Sequence, residues 1–85
     1  MQYTIEFTAS ALREFRALDR QIQRRVSAQI EELRDDPFPP GVQKFQGEAG
    51  HWRIRIGNYR IIYRIEKLRV VIVIVKIGHR REVYR

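Results

Sequence analysis

Arginine is concentrated in the second half of the chain. Of 17 basic residues 14 are arginine, and residues 51–85 carry ten basic and two acidic side chains, whereas residues 1–50 carry seven basic and eight acidic ones. The guanidinium group is planar, has five N–H donors and binds pairs of phosphate oxygens. This distribution favours a nucleic acid or another polyanion as partner of the second half, although charge alone is equally consistent with a basic surface that serves solubility.

Three of these arginines flank a predicted tight turn. Arg53 and Arg55 precede the dipeptide Gly57-Asn58 and Arg60 follows it, and on both sides polar and apolar residues alternate as in a half-buried strand. A two-residue turn with glycine first fixes the pairing and places Arg55 directly opposite Arg60. Opposed like charges cost roughly 0.2–1 kcal/mol unless an anion lies between them. The hairpin therefore predicts a groove for a polyanion; the alternative is a solvated strand face whose arginines pair with carboxylates of the helices or of a partner.

The last seven residues add groups that suit RNA. Arg80 can join the hairpin arginines on one face of a sheet. Tyr84 either packs on a sheet edge or stacks on an unpaired base, a contact of about 1–3 kcal/mol. His79 has an ordinary pKa near neutrality, so it either moves a proton in phosphodiester chemistry or is incidental. Four further basic residues are predicted RNA contacts: Lys44, Arg64, Arg81 and Arg85.

Composition excludes several other classes of protein. The chain has no cysteine and only two histidines, which rules out a disulfide framework or thiolate zinc site and argues against any metal centre. It contains no glycine-rich phosphate loop and no nucleophile elbow. The longest apolar run, Val70–Val75, is far shorter than the ~18–20 residues that cross a bilayer, and no signal-peptide pattern opens the chain. We therefore expect a cytoplasmic protein without cofactor, metal or membrane partner.

Two short amphipathic helices are predicted in the first half. The first begins after Thr8 or Ser10 and the second after Asp19, because these residue types cap helix N-termini. Apolar residues recur at three- and four-residue steps along one side of each helix: Leu12, Phe15 and Leu18, then Ile22, Val26, Ile30 and Leu33. These stripes are the sides expected to be buried, with the charged outer faces in solvent.

Four strands are predicted from alternation or from continuous apolar composition: Gln2–Phe7, His51–Ile56, Tyr59–Ile65 and Arg69–Ile77. The last is apolar on both faces, as is typical of a central strand, and the tail from Gly78 onward is expected to leave it. Three prolines and three glycines between residues 35 and 50 predict a long loop, which in a small domain has a function or is mobile. The predicted architecture is a single α+β domain, residues 1–85, of order β-α-α-β-β-β.

Two segments resemble the RelE branch of the RelE/ParE toxin superfamily. Residues 52–63 resemble the family's basic hairpin and residues 75–84 its C-terminal signature, and the helical pair and the Pro-Pro-Gly at 39–41 agree with it as well. The resemblance covers essentially the whole chain. It implies a microbial-ribonuclease-like fold in which two N-terminal helices pack on a small, mostly antiparallel sheet, and a toxin that cleaves messenger RNA in the decoding site of the ribosome.

The resemblance also implies a reaction that needs no metal. The ribose 2′-oxygen attacks the adjacent phosphorus and leaves a 2′,3′-cyclic phosphate and a free 5′-hydroxyl. Arg53 and Arg55 take the places of two basic hairpin residues, and Arg60 that of a phosphate-gripping arginine. Arg80 matches an arginine that serves transition-state charge or the leaving group. Tyr84 matches the tyrosine that stacks on a base.

One departure from the family pattern concerns proton transfer. The best-known members have lysine where this chain has Arg53 and Arg55, and arginine, whose pKa lies above about 12, is a poor proton acceptor. Other branches use a histidine in this region, so His79 becomes a candidate general acid or base. As partners the resemblance implies an antitoxin encoded alongside, which is acidic or carries acidic anchors, and the ribosome and mRNA. A ParE-like inhibitor of DNA gyrase and a non-catalytic RNA-binding module are the alternatives.

Overall fold

The computed structural model describes residues 2–47 and 49–79, which form two helices and a five-stranded sheet. In chain order the elements are β1 (Thr4–Phe7), α1 (Ala9–Ala17), α2 (Arg20–Leu33), β2 (Gln43–Lys44), β3 (His51–Ile56), β4 (Tyr59–Glu66) and β5 (Val71–His79). The predicted α+β class and the two N-terminal helices are confirmed. Four residues with predicted roles lie outside the described residues: Arg80, Arg81, Tyr84 and Arg85.

Both helices begin where capping residues predict. Thr8 Oγ1 accepts a hydrogen bond from the backbone N–H of Ala11 (3.1 Å), and Asp19 Oδ1 accepts one from the N–H of Ile22 (3.0 Å). Each cap satisfies an N–H group that has no partner inside the helix. The apolar stripes then pack on the sheet, with these residues buried: Ala11, Val26, Ile30 and Leu33. Neither described helix combines the length and the apolar composition that crossing a membrane would require.

The strand order in the sheet is β1-β5-β4-β3-β2, with β1 parallel to β5 and the other neighbours antiparallel. The central position of β5, between β1 and β4, explains why both of its faces are buried over residues 71–74. The helices cover one face, where these strand residues join them in the core: Ile54, Ile56, Ile61, Tyr63, Ile72, Ile74 and Ile77. Alternation sends the arginines of β3 and β4 to the opposite face.

The structure differs from the sequence prediction at β2 and at both ends of β5, and β1 begins at Thr4 rather than at Gln2. Residues 43–44 form β2 inside the segment predicted as a loop, because they pair with β3. Gly78 and His79 belong to β5 rather than to a tail, since β4 pairs with them as far as Tyr59. The predicted start of β5 is also wrong: residues 67–70 form the β4–β5 turn, which ends at Val70 with a φ of 56°. A left-handed conformation is strained for a β-branched residue, so this turn is set by its surroundings rather than by local preference.

Candidate nucleic-acid interface

The β3–β4 hairpin has the register that its turn predicts. Gly57 has a φ of +57°, which glycine adopts without steric cost. Ile56 pairs with Tyr59, and Arg55 pairs with Arg60. Because Ile56 lies in the core under the helices, its neighbour Arg55 and the opposed Arg60 project from the other face. The folded chain therefore does place two like charges opposite each other.

An open cavity of about 440 Å³ lies beside this hairpin. Three arginines line it together with residues of the segment that leads into β2 and one residue of α2; the described lining residues are Gln29, Pro40, Gly41, Gln43, Arg53, Ile54, Arg55 and Arg60. None of these described lining residues is acidic. The structure thus brings Arg53, Arg55 and Arg60 to one place, and we call this space the arginine cavity.

Arg60 is the one buried charged residue among the described residues, with 4% of its surface exposed. Its neighbour in β5 is Gly78, which brings no side chain into the space beside it. A guanidinium does not lose its proton in a protein, so the charge of Arg60 is permanent. In partly dry surroundings the attraction between this charge and a phosphate is stronger than in water. Arg55, by contrast, is exposed and hydrated.

Arg53 is held by Gln43 of β2, the residue opposite it in the sheet. Gln43 Oε1 accepts hydrogen bonds from Arg53 Nε (3.2 Å) and from Arg53 Nη2. Nothing in the sequence predicts a role for Gln43, because no motif or periodicity marks a single glutamine. The available signal is indirect: a loop of that length in so small a domain is predicted to have a function or to be mobile. Gln29 of α2 was missed for the same reason, because a helix residue gives no sign in sequence that it borders a strand cavity.

Arg64, a predicted RNA contact, lies in an ion-pair network at the other end of the sheet. Its Nη2 is 3.3 Å from Glu66 Oε1, Glu66 also lies 2.6 Å from Arg69, and Arg69 reaches Glu6 of β1 at 3.0 Å. Desolvation raises the pKa of the Glu66 carboxyl, but hydrogen bonds and charges of Arg69 and Arg64 outweigh it and hold the pKa below its ordinary value. Arg64 does not line the arginine cavity.

Lys44, another predicted RNA contact, is directed toward an aromatic ring. Its Nζ lies 6.0 Å from the ring centroid of Trp52, the residue opposite it in β3, at the outer limit of a cation–π contact. Lys44 is exposed and does not line the arginine cavity, although it is the neighbour of Gln43 in β2.

His79 lies on the helix side of the sheet, away from the arginine cavity. It pairs with Tyr59 across β4 and β5, and the two rings meet edge to face with 5.5 Å between their centroids. Two residues earlier, Ile77 is buried in the core, and alternation gives His79 the same side of β5. Residues of α1 share the small cavity beside it: Glu14, Ala17 and Leu18. The structure therefore does not bring His79 together with the hairpin arginines.

No metal centre is evident in the described part of the chain. Within residues 2–47 and 49–79, no three His, Asp or Glu side chains are grouped so that they could hold a metal ion. The chemistry that the described site offers is that of fixed positive charge and N–H donors directed at an anion.

Solved structures of RelE toxins share the architecture of this chain, in which two helices pack on a mixed five-stranded sheet. The toxin–antitoxin complex RelBE2 from Mycobacterium tuberculosis contains a similar chain, at 30% identity and a TM-score of 0.82 over 94% of this chain and 93% of that one. The isolated E. coli RelE toxin is similar at 26% identity and a TM-score of 0.81, over 96% and 90% of the two chains.

Sequence comparison gives the family. Residues 5–84 match the family model described as ParE toxin of type II toxin-antitoxin system, parDE. Toxin RelG from Mycobacterium tuberculosis (strain ATCC 25618 / H37Rv) is 33% identical over 89 residues, which cover 100% of this chain and 99% of that protein. The chain therefore belongs to the ParE toxin family and is a type II toxin-antitoxin toxin related to RelE. The family resemblance found in the sequence is confirmed.

Proposed function

We propose that this toxin is a ribosome-dependent, metal-independent endoribonuclease that cuts messenger RNA in the cytoplasm and so inhibits translation. The observation that carries the proposal is the arginine cavity, in which both strands of one hairpin contribute guanidinium groups and one of these groups is buried. A cavity of this size with fixed positive charge suits a phosphodiester better than an uncharged ligand.

In the proposed reaction the ribose 2′-oxygen attacks phosphorus as the bond from phosphorus to the 5′-oxygen breaks. The 2′-hydroxyl proton passes to a base, and the leaving 5′-oxygen takes up a proton, which yields a 2′,3′-cyclic phosphate and a 5′-hydroxyl. Negative charge accumulates on the phosphate oxygens in the transition state. Arg53, Arg55 and Arg60 stabilise that charge, and none of them serves as the base because arginine stays protonated.

Other roles follow from the family resemblance alone. Arg80 is proposed to assist the leaving oxygen and Tyr84 to stack on a base of the message, while Arg81 and Arg85 add contacts to the RNA backbone. The position of His79 beside Tyr59 does not support its predicted role as general acid or base. Positioning of the message by the ribosome supplies orientation that a small open cavity lacks, so free RNA is expected to be a poor substrate.

The proposed physiological partner is a cognate antitoxin with acidic residues. Similar chains from Mycobacterium tuberculosis and from Pyrococcus horikoshii were solved as RelBE2 and RelE–RelB complexes. The net charge of +7 on this chain would attract a partner of opposite charge and speed association.

Primer extension on a translated message tests the proposal. The wild-type toxin should produce cuts at codon-related positions, and the double variant Arg55→Gln/Arg60→Gln should reduce their rate by about 100-fold or more, as expected when donors to a developing oxyanion are lost. The matched control Arg13→Gln/Arg20→Gln removes two exposed arginines from the helices. An intact message with the wild-type toxin would refute the proposal.

The same preparation distinguishes the alternatives. Since the matching family model is described as ParE, a DNA supercoiling assay with gyrase is run in parallel. Inhibited supercoiling without RNA cleavage would assign the toxin to the gyrase inhibitors. Binding of RNA without cleavage, with an affinity that falls steeply with salt, would identify a non-catalytic RNA-binding module.

A further inference from the structure

The segment between α2 and β3 contacts the rest of the fold through a hydrogen bond, an aromatic pair and a core residue. Tyr63 Oη donates a hydrogen bond to the carbonyl oxygen of Pro37 (2.7 Å). The rings of Phe38 and Trp52 meet edge to face with 4.8 Å between centroids. Val42 packs against the core just before β2 begins. A loop held at these points places the residues that follow at a fixed position relative to β3.

This segment places the side chain of Gln43 in the lining of the arginine cavity. Two-residue β2 pairs its backbone with β3 so that Gln43 lies directly opposite Arg53. Gln43 Oε1 then accepts from both Nε and Nη2 of that arginine, with the Nε contact at 3.2 Å. Both residues line the arginine cavity. Backbone pairing and side-chain bonding thus join the same two residues.

These two hydrogen bonds determine the direction of the guanidinium group. Nε–H and one Nη2–H lie on the same edge of the planar group, and a single oxygen that accepts from both fixes the direction of that edge, while the bond from Nε to the arginine's own side chain restricts rotation of the plane about it. The three other N–H groups of the five have their directions set as a consequence, because the group is rigid. An arginine ordered in this way loses less conformational freedom when a phosphate binds.

We propose that Gln43 is a positioning residue of this toxin, which acts through Arg53 by holding its guanidinium in the orientation that serves the scissile phosphate. The inference rests on the proposed endoribonuclease function and extends it to a residue that makes no contact with the reacting atoms. The same inference gives the loop between α2 and β3 a role, which is to place Gln43 at the arginine cavity.

Single-turnover cleavage of a translated message at increasing toxin concentration tests the inference. Gln43→Met keeps the length of the side chain and removes the accepting oxygen. It should lower the maximal rate by about five- to thirty-fold, as expected when both hydrogen bonds from Arg53 are lost, and leave the half-saturating concentration unchanged within about two-fold. Gln46→Met is the matched control, an exposed glutamine in the same loop that does not line the cavity, and should cleave like the wild type.

A double-mutant comparison separates positioning from other roles. If Gln43 acts through Arg53, then adding Gln43→Met to Arg53→Ala changes the rate no further. A further loss of rate in the Arg53→Ala background overturns the inference: with an unchanged melting temperature it shows that the glutamine acts on the RNA directly, and with a lower melting temperature it shows a purely structural role. The ¹H–¹⁵N resonance of Arg53 Nε should exchange with solvent faster in Gln43→Met than in the wild type.

Failure of the inference and failure of the proposed function give different results. Active wild type with an equally active Gln43→Met overturns the positioning role and leaves the nuclease standing. A wild-type toxin that leaves the message intact overturns the nuclease and, with it, the role assigned to Gln43.

Discussion

Replacing Arg55 with glutamine is expected to stabilise the fold and to weaken the proposed nuclease. Arg55 lies directly opposite Arg60, and opposed residues of an antiparallel pair have Cβ atoms about 4.5–5.5 Å apart. Two unit charges about 6 Å apart repel by about 0.7 kcal/mol when water screens them, as it does around the exposed side chain of Arg55. Cross-strand pairs as a class contribute roughly 0.2–1 kcal/mol. We therefore expect Arg55→Gln to raise the free energy of unfolding by about 0.5 kcal/mol.

Urea unfolding at two salt concentrations measures this effect. The Debye length falls from about 10 Å at 0.1 M salt to about 3 Å at 1 M, so the gain at high salt should be about a quarter of its low-salt value. In the cleavage assay the same variant should lose about 100-fold in rate, because it removes a donor to the developing charge. A gain in stability with a loss of activity is the expected cost of concentrating like charges at a functional site.

The matched control is Arg13→Gln, which removes an exposed arginine from the outer side of α1 and lowers the net charge by the same amount. It should leave both stability and cleavage close to those of the wild type. Two results would refute the reasoning: a fall in stability for Arg55→Gln, or an equal rise for Arg13→Gln, which would trace the gain to net charge rather than to the opposed pair.

Four further predictions concern single residues. Tyr63→Phe should lower the free energy of unfolding in urea by about 1–2 kcal/mol, because removal of the hydroxyl leaves the carbonyl oxygen of Pro37 without its donor. Burial raises the pKa of Tyr63, so the hydroxyl is a donor over the whole working pH range. Val70→Asn should raise it by about 0.5–1 kcal/mol, since asparagine tolerates the left-handed backbone better, and no change would show that the turn is not strained. The pKa of Glu66 in the folded protein lies below its ordinary value of 4.5. The ionised carboxylate therefore stabilises the fold above pH 4.5, and this stabilisation is lost as the pH falls through the folded pKa. Melting temperatures of the wild type should drop more steeply in acid than those of Glu66→Gln. His79→Gln should keep most of the cleavage activity, and a loss of about 100-fold, the size of a general acid–base contribution, would contradict its placement.

The parts of the fold that the sequence predicts well are those with a local cause. Thr8 and Asp19 start the helices because their side chains bond to backbone groups three residues further on. Gly57 and Asn58 set the hairpin register because a two-residue turn allows the flanking strands to pair in one register only. These interactions join residues that are close in sequence, so local chemistry is sufficient to specify them.

The parts that the sequence does not predict depend on distant partners. A strand of two residues such as β2 has no periodicity, and it exists because β3 offers an edge next to it. The left-handed turn at Val70 contradicts local preference and is imposed by the pairing of β4 with β5 and of β5 with β1. The ion-pair network of Arg64 likewise depends on a residue far away in the sequence. Residues 51–65 contain no acidic residue, but Glu66 contacts both Arg64 and Arg69, and Arg69 contacts Glu6 of β1.

The two ends of the open face of the sheet therefore differ in the charged groups that the structure describes there. At the end near β1, Glu66 and Glu6 balance Arg64 and Arg69, so that charges there serve the packing of strands and turn. At the hairpin end the described lining of the arginine cavity contains guanidinium groups and amides without a carboxylate. A bound polyanion can accept hydrogen bonds from arginines that line an open cavity, and it gains little from arginines such as Arg69 that share a carboxylate in the described network. Hence removing Arg55 should reduce the salt dependence of RNA binding, whereas removing Arg69 should affect stability and leave that slope unchanged.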